Sequence, residues 1–139
     1  MNSNFIEEYP KSISSQDCLK LIQQFEISND LHAPGVTTIG YDEDIKKDTE
    51  ITVTNRMLGD EQWGDAITPV LIALNKNIEK YKKEYTIDSG LDDLSRWGLE
   101  PPGINFQRFL PGEGYKKWHC ESPCKISSKR VLVWMLYLN

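Results

Sequence analysis

The sequence is short of the residue types with the most distinctive chemistry. It has three cysteines and two histidines in 139 residues. An odd number of cysteines at unpatterned spacing argues against a disulfide framework and fits a reducing cytoplasm. No apolar run approaches the roughly 20 residues that span a bilayer, so a membrane-spanning role is not expected. Residues 1–8 have neither the basic region nor the long apolar stretch of a signal peptide. Basic residues are scattered and outnumbered, 16 Lys and Arg against 21 Asp and Glu, giving a net charge of −5. A nucleic-acid backbone needs a concentrated basic surface and is therefore not the expected partner. There is no internal repeat and no low-complexity segment.

What is present describes an ordinary globular protein. Hydrophobic residues make up 39% and charged residues 27%, with four tryptophans, and the length suits one domain with a real core. Ser14 or Ser15 can cap a first helix with Asp17 against the positive end of its dipole. Cys18, Leu19, Leu21, Ile22 and Phe25 at helical spacing then predict an amphipathic helix over about 15–26, with Cys18 as a small buried hydrophobe. Residues 27–40 carry turn chemistry around a possible short strand, Val36–Ile39, and His32 reads as a solvated loop histidine. The run 41–50 alternates charge sign and reads as solvated surface. Ile51 to Thr54 alternates at period two with β-branched residues and predicts a strand. A long helix follows, with Trp63, Ile67, Val70, Leu71, Leu74, Ile78, Tyr81 and Tyr85 along one face. Pro69 either kinks it or marks its first turn with Thr68 as cap. Residues 86–102 read as loop.

The last third carries the chemistry. Ile104–Leu110 reads as a strand with Asn105, Gln107 and Phe109 on one face and Ile104, Phe106 and Arg108 on the other. Pro111, Gly112, Glu113 and Gly114 form a turn in which the glycines permit positive φ. A second strand is expected over Tyr115–Glu121, placing His119 and Glu121 two apart on the same side. An imidazole and a carboxylate held this way are two of the three ligands of a facial triad, which leaves the other positions of a non-haem Fe(II) open. Taken alone, His-x-Glu arises often by chance, and its plain alternative is a surface histidine beside a solvated acid. Val131–Leu138 is apolar on both faces, the pattern of a covered central strand.

Read together, Asn105, Gln107, Arg108, Phe109, Pro111, Gly112, Glu113, Gly114, Tyr115, Trp118, His119 and Glu121, followed by residues 130–139, resemble the 2-oxoglutarate- and Fe(II)-dependent oxygenase superfamily. The resemblance is to its prolyl-4-hydroxylase-like branch. It is specific over 103–139 and looser over 5–85. It implies an α+β fold in which N-terminal helices flank a double-stranded β-helix (jelly-roll). It also implies Fe(II) held by His119 and Glu121, with 2-oxoglutarate as co-substrate. Tyr115, Gln107 and Asn105 would line the co-substrate pocket by position and strand parity. Most members place Asp where Glu121 stands, and many have Tyr where Phe109 stands, so no phenol role is carried onto Phe109.

The family draws its distal His ligand, and the Arg or Lys that pairs with the 2-oxoglutarate 5-carboxylate, from strands later than residue 139, and His32 does not fit the distal role. The expectation is therefore an incomplete oxygenase domain over 1–139. Residues 1–102 would be N-terminal support and 103–139 the first three core strands, with no complete active site and no activity in isolation. The substrate, a protein side chain or a small molecule, is not specified. An unpaired apolar strand over 131–138 would favour self-association. Two other readings stand beside this one: a non-catalytic jelly-roll scaffold, and a zinc-stabilised binding module using His119, Cys120 and Cys124. Against the zinc module, Cys120 would face away from His119 on a strand, and Cys-x-x-x-Cys has no second ligand pair.

Overall fold

Ser14 opens the first helix as the sequence predicts. The Asp17 N–H donates to Ser14 Oγ at 3.1 Å, capping the first turn, and the Ser14 hydroxyl in turn donates to Asp17 Oδ2 at 2.6 Å. The helix, α1, runs Ser15–Ile27. Leu21 and Phe25 on it are buried, whereas Leu19 is exposed. Cys18 is half-buried, where the apolar spacing placed it inside the stripe.

These elements belong to a computed structural model that describes residues 4–85, 103–121, 125, 127–130 and 132–139. The expected loop over 86–102, the Cys124 position and Val131 lie outside the described residues. The chain forms two compact units, one of Met1–Gln24, Arg56–Leu99 and Leu138–Asn139, the other of Phe25–Asn55 and Glu100–Tyr137. Helices and small antiparallel sheets together make the chain α+β. Among the described residues, no helix is long and apolar enough to cross a membrane.

The first unit is built on the long helix α2, Glu61–Glu84. Its cap is Asp60, whose side chain accepts from the Gln62 N–H at 2.8 Å, and not Thr68. Pro69 therefore sits inside the helix, where it removes one ladder bond at about 3 kcal/mol. Burial of Trp63, Ile67, Val70 and Ala73 on both sides of it offsets that cost, since each large apolar side chain contributes about 2 kcal/mol. The N-terminal segment is tied to this helix by Asn77 Nδ2 donating to Ser12 Oγ (2.8 Å) and the Tyr81 hydroxyl donating to the Phe5 carbonyl (2.8 Å).

The second unit carries the sheets. Two-residue β1 (Ala33–Pro34) pairs with β3 (Thr49–Thr54), which pairs antiparallel along its whole length with β4 (Gly103–Arg108). In this register Ile51 faces Phe106 and Val53 faces Ile104; Ile51, Val53 and Ile104 are buried and form the apolar side of the sheet. Glu50 lies opposite Gln107, and Thr52 opposite Asn105, on the other side. A separate ladder joins β2 (Lys46–Lys47) to β5 (Gly114–Tyr115). The Glu113 N–H donates to the Leu110 carbonyl at 2.9 Å and Gly112 takes φ +87°, closing the predicted turn.

Three expected strands are not formed. The stretch Val36–Ile39 is instead a tight turn closed by mutual Thr37 and Gly40 backbone bonds. The second core strand ends at Tyr115 rather than reaching Glu121. Lys116 makes one more backbone bond, to Ile45, but Ile45 and Lys46 both donate to the Asp42 carbonyl, so residues 42–45 are folded into a turn and the ladder has no further partner. Residues 132–139 belong to no strand, with Val133, Met135 and Tyr137 exposed. A segment apolar on both faces needs pairing on each edge, and the described sheets supply neither. No jelly-roll is formed by the described strands, which make one three-stranded and one two-stranded sheet.

Gly103 starts β4 at φ +149°, and a Cβ there would lie 2.0 Å from the Val53 carbonyl oxygen. Gly103→Ala is expected to cost roughly 2–4 kcal/mol, and Gly112→Ala, with open space around its Cβ, about 1 kcal/mol. Urea unfolding of the two variants measures both; equal losses would contradict the register of β3 and β4.

Candidate functional site

The charged run over 41–50 is solvated at residues 41–44 and Lys47, as expected, but it also holds a buried polar cluster. Lys46, Asp48 and Glu50 stand at alternate positions, and each is under 10% exposed. The Lys46 ammonium bonds Glu50 Oε1 and lies 3.6 Å from Asp48 Oδ2. Glu50 Oε1 also accepts from Asn105 Nδ2 at 3.1 Å and Gln107 Nε2 at 2.9 Å. Asn105 and Gln107, expected to line a co-substrate pocket, thus spend donors on a buried carboxylate. The arrangement has a simple cause: the register sets Gln107 across from Glu50 with Asn105 on the diagonal, so both reach the same anion. The overlooked signal was the period of the charges. Lys-x-Asp-x-Glu at spacing two, running into Ile51 and Val53, puts one cation and two anions on one side of an extended chain.

Burial raises both carboxylates, but their net shifts are opposite. Burial raises Asp48 to about 6 from an ordinary 3.8, helped by the neighbouring Glu50 charge and opposed by Lys46. Both of its oxygens are buried without a hydrogen-bond donor. Burial would also raise Glu50, but the hydrogen bonds from Lys46, Gln107 and Asn105, together with the Lys46 charge, outweigh it and hold that carboxyl below its usual value. Gly35 closes over the cluster, and a Cβ on it would fall 1.7 Å from Asp48 Oδ1. His32 is not a free loop histidine either: its ring stacks on Phe25 with centroids 4.6 Å apart, and its Nε2 lies 3.0 Å from the Phe25 carbonyl oxygen. An open cleft of about 340 Å³ beside β1 and β2 is lined by residues that include His32, Tyr41, Lys47, Asp48 and Glu113; His119 and Glu121 are not part of it.

The predicted ligand pair does meet, although not on a strand. His119 Nε2 lies 3.1 Å from Glu121 Oε1, and both side chains are a little under half exposed. His119 Nδ1 is 3.3 Å from the Lys117 carbonyl oxygen, a long hydrogen bond in which only the ring N–H can donate. The Arg130 guanidinium reaches the Glu121 carbonyl and its Oε2, the latter at 3.1 Å, leaving Oε1 to face the imidazole. Tyr115 stacks on His119 with ring centroids 3.9 Å apart and planes inclined by 15°. Lys46 Nζ lies 5.9 Å from the centre of the Tyr115 ring, so the buried cluster and the exposed pair are neighbours through one aromatic ring.

This arrangement sets a chemical condition. In the tautomer protonated at Nδ1, which donates to the Lys117 carbonyl, the imidazole presents a lone pair at Nε2 opposite one on Glu121 Oε1; in the other tautomer Nε2–H donates to Oε1 directly, and the cation condition applies to the first. Two acceptors 3.1 Å apart need a cation between them, either a proton or a metal ion. Two ligands bound at about 2.1 Å and at right angles on one ion would be about 3 Å apart, so the spacing suits a shared metal. A carbonyl bond to the second ring nitrogen is also what orients metal-bound histidines. Among the described residues, no group of three His, Cys, Asp or Glu side chains stands where one metal could be held. Cys120 is exposed and free, and Cys124 lies outside the described residues. Compared with protein-family models, with curated proteins and with solved structures, the chain matches none.

The buried cluster gives the fold a pH dependence of definite sign. Because the folded value of Asp48 lies above its ordinary one, its contribution is present at acid pH and is lost as pH rises through about 6. Unfolding free energy should therefore fall by roughly 1 kcal/mol between pH 5 and pH 8 on account of this group. Asp48→Asn is expected to abolish that decline and to be the more stable protein at pH 8, as read by urea midpoints at the two pH values. An Asp48→Asn profile parallel to the parent would contradict it.

Proposed function

We propose that the chain contributes two metal ligands, His119 Nε2 and Glu121 Oε1, to an Fe(II)- and 2-oxoglutarate-dependent oxygenase of the prolyl-4-hydroxylase type. The jelly-roll is the fold this reading entails. The observation that carries it is the approach of His119 Nε2 to Glu121 Oε1 at 3.1 Å, with Nδ1 3.3 Å from the Lys117 carbonyl oxygen, an arrangement that leaves Nε2 free to ligate when Nδ1 carries the proton. The sequence pattern over 103–139 supports the same reading, because it places this His and Glu in the family's ligand positions. Fe(II) with 2-oxoglutarate and dioxygen supplies hydroxylation of an unactivated C–H bond when bound.

The residues of the chain have narrower tasks. Lys117 holds the imidazole tautomer that leaves Nε2 free to ligate. Arg130 occupies Oε2 and the main-chain carbonyl of Glu121, so that a single oxygen is offered. Partial exposure of both side chains leaves room for exchangeable ligands, as an oxygenase site requires. Asn105 and Gln107 act at one remove, by holding Glu50 in the cluster beside Tyr115, unless a co-substrate displaces them from it.

Co(II) serves as a spectroscopic substitute for Fe(II). Titration with Co(II) is expected to show binding that His119→Ala weakens at least tenfold, a loss in the range seen when metal-site residues are removed. Glu121→Gln should also weaken it, and Cys120→Ser should not. Co(II) binding unchanged by His119→Ala would overturn the assignment and leave the pair as a solvent-exposed ion pair of little energetic consequence.

A further inference from the structure

The fold gives His119 no strand to hold it, yet its ring has a defined place. Residues 116–121 lie beyond the end of the β5 ladder, where a side chain ordinarily samples several rotamers. Beside its polar contacts with the Lys117 carbonyl and Glu121, the imidazole packs on Tyr115, whose ring lies within 15° of parallel to it at a centroid separation of 3.9 Å. Tyr115 is itself anchored. Its backbone pairs with Lys46, the next N–H donates to the Ile45 carbonyl at 2.7 Å, and Lys116 Nζ reaches the Glu43 carbonyl at 3.1 Å. The Lys46 ammonium also sits 5.9 Å from the ring centre, in cation–π range, and is held there by the buried Glu50.

We propose that Tyr115 is a positioning residue for His119: a flat platform, anchored through Lys46, that turns the imidazole so that Nε2 faces Glu121. The role differs from lining a co-substrate pocket, because it uses the face of the ring and not the hydroxyl. It connects the two polar features of the unit, since the platform is fixed by the buried cluster and in turn fixes the exposed ligand. A preset imidazole loses less rotamer freedom when a metal binds, which raises affinity without adding a ligand. The proposal rests on the reading of His119 as a metal ligand, but the positioning itself can be read without any metal.

The test compares Tyr115→Leu, which removes the flat ring, with Tyr115→Phe, which keeps it and drops only the hydroxyl. The first readout is the chemical shift of the His119 ring protons in the metal-free chain, which a stacked aromatic ring shields. The second is Co(II) affinity. Tyr115→Leu is expected to move the His119 ring protons downfield and to weaken Co(II) binding by about tenfold, as loss of a supporting contact does. Tyr115→Phe is expected to retain both parent values. Unmoved His119 resonances in Tyr115→Leu would overturn the proposal. So would a Tyr115→Phe variant as impaired as Tyr115→Leu, or parent Co(II) affinity in Tyr115→Leu alongside loss of binding in His119→Ala. Co(II) binding that does not depend on His119 overturns the ligand reading instead, and the proton shifts alone then decide the positioning.

Discussion

The second unit depends on one buried cation. Lys46 is the only positive charge in a cluster with Asp48 and Glu50, and it is what makes two carboxylates tolerable away from water. Removing it would leave two anions buried without a counter-ion, a change on the order of several kcal/mol. Through Glu50 it reaches Asn105 and Gln107 on β4, through its backbone it pairs with Tyr115 on β5, and through its ammonium it approaches the Tyr115 ring. Three strands and one aromatic platform therefore share a single ion. The cluster is not fully satisfied, since the Asp48 oxygens lack donors, and burial, with the Glu50 charge beside it, moves Asp48 toward neutrality.

The polar cluster and the apolar side of the same sheet are two consequences of one register. Pairing β3 with β4 so that Val53 meets Ile104 and Ile51 meets Phe106 buries the apolar side chains together. The same pairing unavoidably sets Glu50 against Gln107 on the other side. A slip of one residue would bring Glu50 to the apolar side, so the hydrophobic term and the ion cluster specify the same alignment. Gly103 sits where this alignment brings the Val53 carbonyl too close for a Cβ, and Gly35, beside the β1–β3 pairing, sits too close to the Asp48 carboxylate for one.

What could be read from the sequence follows from how local each signal is. The Ser14 cap, the α1 and α2 helices, the strand around Ile51–Val53, the strand read over Ile104–Leu110 and the turn at Gly112 are all set by neighbours within a few residues. All are present, the strand as Gly103–Arg108 and the α1 stripe without Leu19, which is exposed. Strand extent was not legible. Whether Tyr115 continues to Glu121 depends on what lies across the ladder, and there the chain from Asp42 to Ile45 turns away. The segment 132–139 has the composition of a strand without a described partner. The buried half of the charged run is hidden for a related reason: Lys46, Asp48 and Glu50 look as solvated as residues 41–44 until a second strand shows which side they face. His119 and Glu121 were found as a pair because their spacing brings them together even in irregular backbone. Lys46, Tyr115 and Arg130 around them are joined only by tertiary contacts.

The central claim is that the space between His119 Nε2 and Glu121 Oε1 is a cation site. The most direct measurement is anomalous diffraction from crystals of the chain grown with Mn(II), an oxygen- and nitrogen-preferring ion with a usable signal. The account requires an anomalous peak within about 2.3 Å of both atoms, with the Lys117 carbonyl still bonded to Nδ1 and Arg130 still on Oε2. A map with no peak there, and His119 against Glu121 as a bare ion pair, would contradict it.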